Sequence, residues 1–151
     1  MIDETAYNPL DKRNLGASVA EALLQRDVTP LTKLKRFRGA GIYALYYDGK
    51  FPAYEEIASC NREDRFESPI FVGKAVPPGA RKGALGLDSE PGQAMYSRLN
   101  EHRKSIEAAG NLRVEDFHCR YLVVEDIWIP LGEALLIATF SPLWNKLLDG
   151  F

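Results

Sequence analysis

The stretch Gly41-Ile42-Tyr43-Ala44-Leu45-Tyr46-Tyr47-Asp48-Gly49 decides how the chain is read. Its first seven residues are rich in β-branched and aromatic side chains, which favour extended backbone, and Asp48-Gly49 is a strong turn signal at their end. A strand is therefore expected over Gly41 to Tyr47. A second apolar run, Ile70-Phe71-Val72, is too short for a helix and is closed by Gly73, so it is expected as a buried strand pairing antiparallel with the first.

Outward from these two strands the pattern is helical on either side. Residues 14–26 place Val19 and Leu23 on one face with Asn14 as a plausible cap. Residues 76–92 are rich in Pro and Gly and are expected as a loop, positioned to touch a ligand held beside the second strand. Met95, Leu99 and Ile106 recur at helical spacing until Gly110-Asn111 ends the element. Residues 117–124 read as a third strand, and 131–140 as a strongly apolar helix stopped before Pro142. The order of elements predicts an α/β (α+β) fold, with a small three-stranded, mainly antiparallel sheet flanked by helices.

At 151 residues the chain fits one domain with a sizeable core. A composition that is 46% hydrophobic and 26% charged is that of an ordinary globular protein and argues against disorder or a repeat array. The first residues have neither a basic nor an apolar leader character, and no run approaches about 18 apolar residues, so a cytoplasmic protein with no membrane partner is expected. Cys60 and Cys119 form no CxxC pair; zinc is not indicated, and both are expected as free thiols, Cys119 packed in its strand.

A net charge of −2 argues mildly against a nucleic-acid partner, but distribution matters more than the sum. Lys33, Lys35, Arg36 and Arg38 precede the first strand, Lys74, Arg81 and Lys82 follow the second, and Arg98, Arg103 and Lys104 share one helix. Glu55, Glu56, Glu63, Asp64 and Glu67 lie between the strands. A basic face beside the site and an acidic back are expected.

Six residues carry candidate chemistry. Tyr43 faces the opposite way from Ile42 and Ala44; such a strand tyrosine is usually a packing residue, yet a phenol that loses its proton is a general base. Arg98 and His102 are four apart and share a helix face, which does nothing for helix stability and so suggests function. Glu133 is placed in the first turn of an apolar helix, where it favours the helix dipole and, partly buried, needs a partner such as a hard divalent ion. Lys74 emerges beside Tyr43, and Asn145 lies in Pro142-Leu143-Trp144-Asn145. His118 matches no such pattern and is expected to be structural.

Taken in order and spacing, Gly41-Ile42-Tyr43, Phe71-Val72-Gly73-Lys74, Arg98, His102, Glu133 and Asn145 closely resemble the GIY-YIG nuclease superfamily, and specifically its type II restriction-endonuclease branch, over about residues 31–151. The resemblance implies a GIY-YIG nuclease domain over 31–151 behind an N-terminal helical extension at 1–30. It implies Tyr43 as water-activating base, with His102 hydrogen-bonded to it, Arg98 on the scissile phosphate, and Glu133 as ligand of one Mg²⁺ (or Mn²⁺) per site. Asn145 would brace the site, and Lys74 would contact phosphate or lower the Tyr43 pKa. Double-stranded DNA is the implied substrate, met by a homodimer and by contacts from Lys33, Lys35, Arg36, Arg38, Arg81, Lys82, Arg103 and Lys104. Two departures stand out: Phe71 occupies the usual second-motif tyrosine position, and relatives continue past 148–151, so that part of a DNA-contacting or dimer surface is expected to be missing here. The link 50–69 is longer than usual, matches the restriction branch and is expected as a recognition element. A catalytically weakened DNA-binding module and a repair or mobile-element nicking nuclease remain the alternatives.

Overall fold

The seven residues of β2 (Gly41–Tyr47) are all buried, because this is a central strand with both faces covered. Tyr43, Leu45 and Tyr47 point to one face and join a core completed by Met95, Leu99 and Ile106 of α3 (Ala94–Ala108). Ile42, Ala44 and Tyr46 point to the other and meet Ala20 and Leu23 of α1 (Lys12–Leu24) together with Ile129 and Leu136 of α4 (Ile129–Phe140). Each fully buried Leu or Ile contributes roughly 1.5–3 kcal/mol relative to exposure. The computed structural model describes residues 1–77 and 92–147. The loop expected over 76–92, with Arg81 and Lys82, falls almost wholly outside the described residues, as does 148–151.

The sheet has four strands in the order β1-β4-β2-β3, with β1 (Thr29–Pro30), β3 (Phe71–Ala75) and β4 (Phe117–Val123). All three pairings are antiparallel. The fourth strand, β1, was not expected: two residues ending in a proline leave no alternation to detect, and Pro30 is tolerated because β1 is an edge. β3 runs two residues beyond Gly73, so that glycine lies inside the strand rather than closing it.

Helix boundaries differ in two informative places. Asp11, not Asn14, caps α1, its carboxylate accepting from the Arg13 N–H at 2.8 Å, so the helix starts at Lys12. α4 starts at Ile129 because Pro130 sits comfortably in a first turn. Glu133 is therefore the fifth residue of its helix, past the first turn, and the dipole argument made for it fails. α1 and β1 belong to the same core and sheet as the rest: α1 packs so closely on α4 that a Cβ on Gly132 would lie 2.6 Å from a Val19 methyl. The short helices α2 (Glu55–Asn61) and α5 (Leu143–Leu147) complete the α3 face. Cys60 and Cys119 are free thiols, Cys119 buried. No helix of the described residues is long and apolar enough to cross a membrane.

Candidate active site

β3 is an edge strand, and half of its edge is covered. Asn145 of α5 clamps it, its Oδ1 accepting from the Val72 N–H at 2.8 Å and its Nδ2 donating to the Val72 carbonyl at 2.8 Å. The Trp144 N–H donates to the Ile70 carbonyl at 2.9 Å. Since Val72 points its backbone outward, Lys74 two residues on does the same. Next to it opens a cavity of about 870 Å³ whose lining includes Phe71, Lys74, Arg98, His102, Glu133 and Asn145. Five of the six catalytic candidates thus meet around one space.

The sixth, Tyr43, lies beneath them. It pairs across the sheet with Gly73, and a Cβ at Gly73 would stand 2.6 Å from both Cζ and Oη of Tyr43. The phenol crosses the edge strand in the space that this missing side chain leaves. Sequence reasoning missed this role of Gly73; the only signal was a glycine inside an otherwise apolar run. Tyr43 is 0% exposed, so its hydroxyl meets water only if its cover shifts.

Tyr43 Oη lies 2.7 Å from His102 Nε2. Burial pushes the phenol up to about 12, against the opposing pull of the Arg98 charge and hydrogen bond, with Glu133 and Glu101 adding to the rise. Burial also pushes His102 down to about 4, assisted by Arg98 and opposed by Glu101. Tyr43 therefore keeps its proton beside a neutral imidazole, and His102 Nε2 accepts from it when the ring carries its own proton on Nδ1. The Arg98 charge favours the phenolate, as expected of a nearby cation, but within the protein desolvation outweighs it. The ring of Phe71 sits 4.9 Å from His102 and 6.0 Å from Tyr43, centroid to centroid. It fills the second-motif position with packing and no hydroxyl.

Glu133 reaches the cavity from α4, where its Oε1 is 3.3 Å from Lys74 Nζ. The Glu133 side chain is 19% exposed and that of Lys74 45%. Arg98 pairs with Glu101 at 3.1 Å, both well exposed. Among the described residues no group of three or more His, Cys, Asp or Glu could hold a metal ion. A single half-buried carboxylate is still a donor that fits Mg²⁺, which keeps most of its waters and is commonly held by one or two carboxylates plus substrate phosphate. It does not fit zinc.

The other basic candidates lie elsewhere. Lys33, Lys35, Arg36 and Arg38 are all exposed on an extended strap whose Leu34 and Phe37 pack on the α3-side core. Phe37 stacks on Tyr121 at 4.1 Å, and Arg36 lies 5.9 Å over the Tyr96 ring. Tyr96 precedes Arg98 by two residues, about 200° around the helix. Arg36 and Phe37 thus meet α3 at Tyr96, on a face turned away from Arg98. Arg103 is turned toward Glu107 at 3.8 Å, and Lys104 faces outward. Of the three basic clusters expected beside the site, Lys74 and Arg98 line the cavity, Lys33, Lys35, Arg36 and Arg38 are not among its lining residues, and Arg81 and Lys82 lie outside the described residues.

The link 50–69 leaves β2 at the Tyr47 end, about 13 Å along the strand from Tyr43. Asn61, 0% exposed, fastens it by donating to the Tyr47 and Ser68 carbonyls, each at 2.9 Å. Its five acids are exposed. Its Tyr54 hydroxyl accepts from Trp144 Nε1 at 3.1 Å, which supports the residue next to Asn145. His118 lies outside the cavity, its Nε2 3.1 Å from Asp48 Oδ2.

An antiparallel sheet between helices, with a tyrosine from the central strand reaching a cavity at the edge strand, defines the GIY-YIG class of domain. The family model described as the Eco29kI GIY-YIG domain matches residues 35–151, and the chain belongs to that family of type II restriction-endonuclease GIY-YIG domains. The domain is accordingly that of a nuclease, with DNA as its class of substrate. No curated protein matches the chain.

Proposed function

We propose that the chain is a Mg²⁺-dependent endonuclease of the restriction type that hydrolyses phosphodiester bonds in double-stranded DNA. The observation that carries this reading is the Tyr43–His102 hydrogen bond at the floor of a cavity that also gathers Arg98, Lys74 and Glu133. Arg98, whose exposed partner Glu101 is easily exchanged, takes the scissile phosphate and stabilises the charge that grows on it. Tyr43 and His102 act as one proton-accepting unit once the cover of Tyr43 shifts: as water attacks phosphorus, its proton passes to Tyr43 Oη and the Tyr43 proton to His102 Nε2, while the P–O bond to the leaving sugar oxygen breaks and that oxygen takes a proton from solvent. No free phenolate has to form beforehand, which suits a phenol held at about 12. Glu133 would hold the Mg²⁺ (or Mn²⁺), which when bound supplies positive charge at the phosphate. Asn145 keeps β3 in register, and Lys74 turns toward phosphate. The strap of Lys33, Lys35, Arg36 and Arg38 contacts the DNA backbone outside the cavity, whose described lining includes none of the four. Cutting both strands calls for a homodimer or two monomers, with one such site in each chain.

Plasmid cleavage by the purified protein, in Mg²⁺ and in EDTA, tests the reading. Discrete Mg²⁺-dependent fragments, lost in Glu133→Ala and Tyr43→Phe, are expected; intact plasmid under all conditions would sink it. The second reading, a DNA-binding module with little catalysis, is favoured by the complete burial of Tyr43 together with Phe71. It predicts a salt-dependent shift of duplex DNA with no cleavage.

A further inference from the structure

Glu133 is carried on a closely packed helix: its neighbour Gly132 lies so near α1 that a Cβ there would stand 2.6 Å from a Val19 methyl. A carboxylate with a side chain only 19% exposed needs a cation beside it, and Lys74 provides one at 3.3 Å. Lys74 is the opposite kind of partner. Its side chain is 45% exposed, it sits on an edge strand beyond the Asn145 clamp, and its four-carbon stem can carry the ammonium elsewhere without moving the backbone.

We propose that Lys74 and a divalent cation are alternative partners of Glu133, and that a phosphate entering beside Arg98 exchanges one for the other. The proposal rests on the nuclease reading above. An ammonium and a doubly charged ion cannot share one carboxylate at contact distance without strong mutual repulsion. Before substrate arrives, Lys74 keeps the half-buried carboxylate balanced and so weakens metal binding. An arriving phosphate gives the ammonium an equivalent anion, on the same cavity wall system as Arg98, and leaves Glu133 to the metal. Metal and phosphate then bind with positive coupling, each tightening the other by the same factor.

The test is Mn²⁺ binding, followed by its electron paramagnetic resonance signal, with and without thymidine 3′,5′-bisphosphate as a small, uncut phosphate probe. For the wild type the bisphosphate is expected to tighten Mn²⁺ about tenfold, within the usual range of coupling between two sites. In Lys74→Met, Mn²⁺ alone binds about tenfold more tightly than to the wild type, and the bisphosphate adds far less, since the competing ammonium is gone. Lys74→Gln serves as a second variant of similar length, and thermal unfolding confirms that each folds. If removing the ammonium leaves Mn²⁺ affinity unchanged or weaker, or the bisphosphate tightens wild type and Lys74→Met equally, the exchange is wrong while the metal site stands. If Glu133→Gln binds Mn²⁺ as well as the wild type does, with and without the bisphosphate, the metal reading itself falls and the exchange falls with it.

Discussion

Tyr43 and Tyr46 stand three residues apart on β2, both fully buried, both beside an arginine and both pushed up by burial, yet their surroundings assign them to different tasks. The Tyr46 hydroxyl accepts from Arg120 Nη1 at 2.8 Å, and the same guanidinium donates to the Arg26 carbonyl at 3.0 Å and the Phe66 carbonyl at 3.3 Å. That arginine ties the end of α1 and the link 50–69 to the sheet, and its donors are committed to protein. Arg98, next to Tyr43, pairs among the described residues with an exposed carboxylate three residues along its own helix, acts on the Tyr43 hydroxyl, and faces a cavity. What separates a site from a brace is whether the cation's donors are already spent, since residue type and burial are the same in both.

The largest contrast is expected between the two hydroxyls. Tyr43→Phe should lower cleavage by about 10²–10⁴-fold, the usual contribution of a proton-transfer group, besides the roughly 1 kcal/mol of stability that a buried hydrogen bond contributes. Tyr46→Phe should leave cleavage unchanged and cost about 1 kcal/mol in urea unfolding, as one buried hydrogen bond is lost. Equal losses of activity from both would erase the distinction. Next in size come the arginines. Arg98→Ala should reduce cleavage by about 10²–10³-fold, as for removal of a donor that meets transition-state charge. Arg120→Ala should act instead on stability, by about 1–3 kcal/mol, because buried acceptors lose their donor.

A smaller effect sharpens the assignment of the Tyr43 partner. His102 is held at about 4 in the folded protein against an ordinary 6.5, so between these values the unfolded chain binds the proton more readily. The stability tied to neutral His102 is thus fully present above pH 6.5 and lost as pH falls toward 4, by up to about 3 kcal/mol. His102→Gln, which cannot titrate, should lose less stability between pH 7 and 4.5 than the wild type. Parallel pH profiles of unfolding in the two proteins would mean that His102 is not held neutral.

The extent to which this was legible in the sequence follows the range of the forces concerned. β2 was clear because seven consecutive residues favour extended backbone, and α3 because its apolar side chains repeat at helical spacing. β1 was not, since two residues carry no period. The face on which Tyr43 points follows from alternation, whereas its depth depends on α3 and Phe71 closing over it, which no local pattern records. Glu133 is placed one turn too early by a helix read from residue 131, because Ile129 and Pro130 already belong to the helix. The basic strap shows the limit most plainly: Arg36 is near Tyr43 in sequence, yet it lies over the Tyr96 ring and is not among the residues lining the cavity.

Gly73 offers the smallest and most local test of the difference between the two tyrosines, because only Tyr43 lies across a glycine. A methyl group at 73 would meet the Tyr43 ring at 2.6 Å and the Phe71 ring at 2.7 Å. Gly73→Ala should therefore cost about 1–3 kcal/mol, the usual price of overpacking. It should also displace the phenol from His102 and lower cleavage. Combined with Tyr43→Leu, which removes the ring, the added methyl should cost markedly less than it does alone, giving a coupling of about 1 kcal/mol or more in a double-mutant cycle. The same methyl combined with Tyr46→Leu, on the far face of the sheet, should give additive costs within about 0.5 kcal/mol. Additivity in both cycles would mean that Gly73 serves the strand and not the tyrosine. The placement of Tyr43 Oη would then need a cause other than the space at 73.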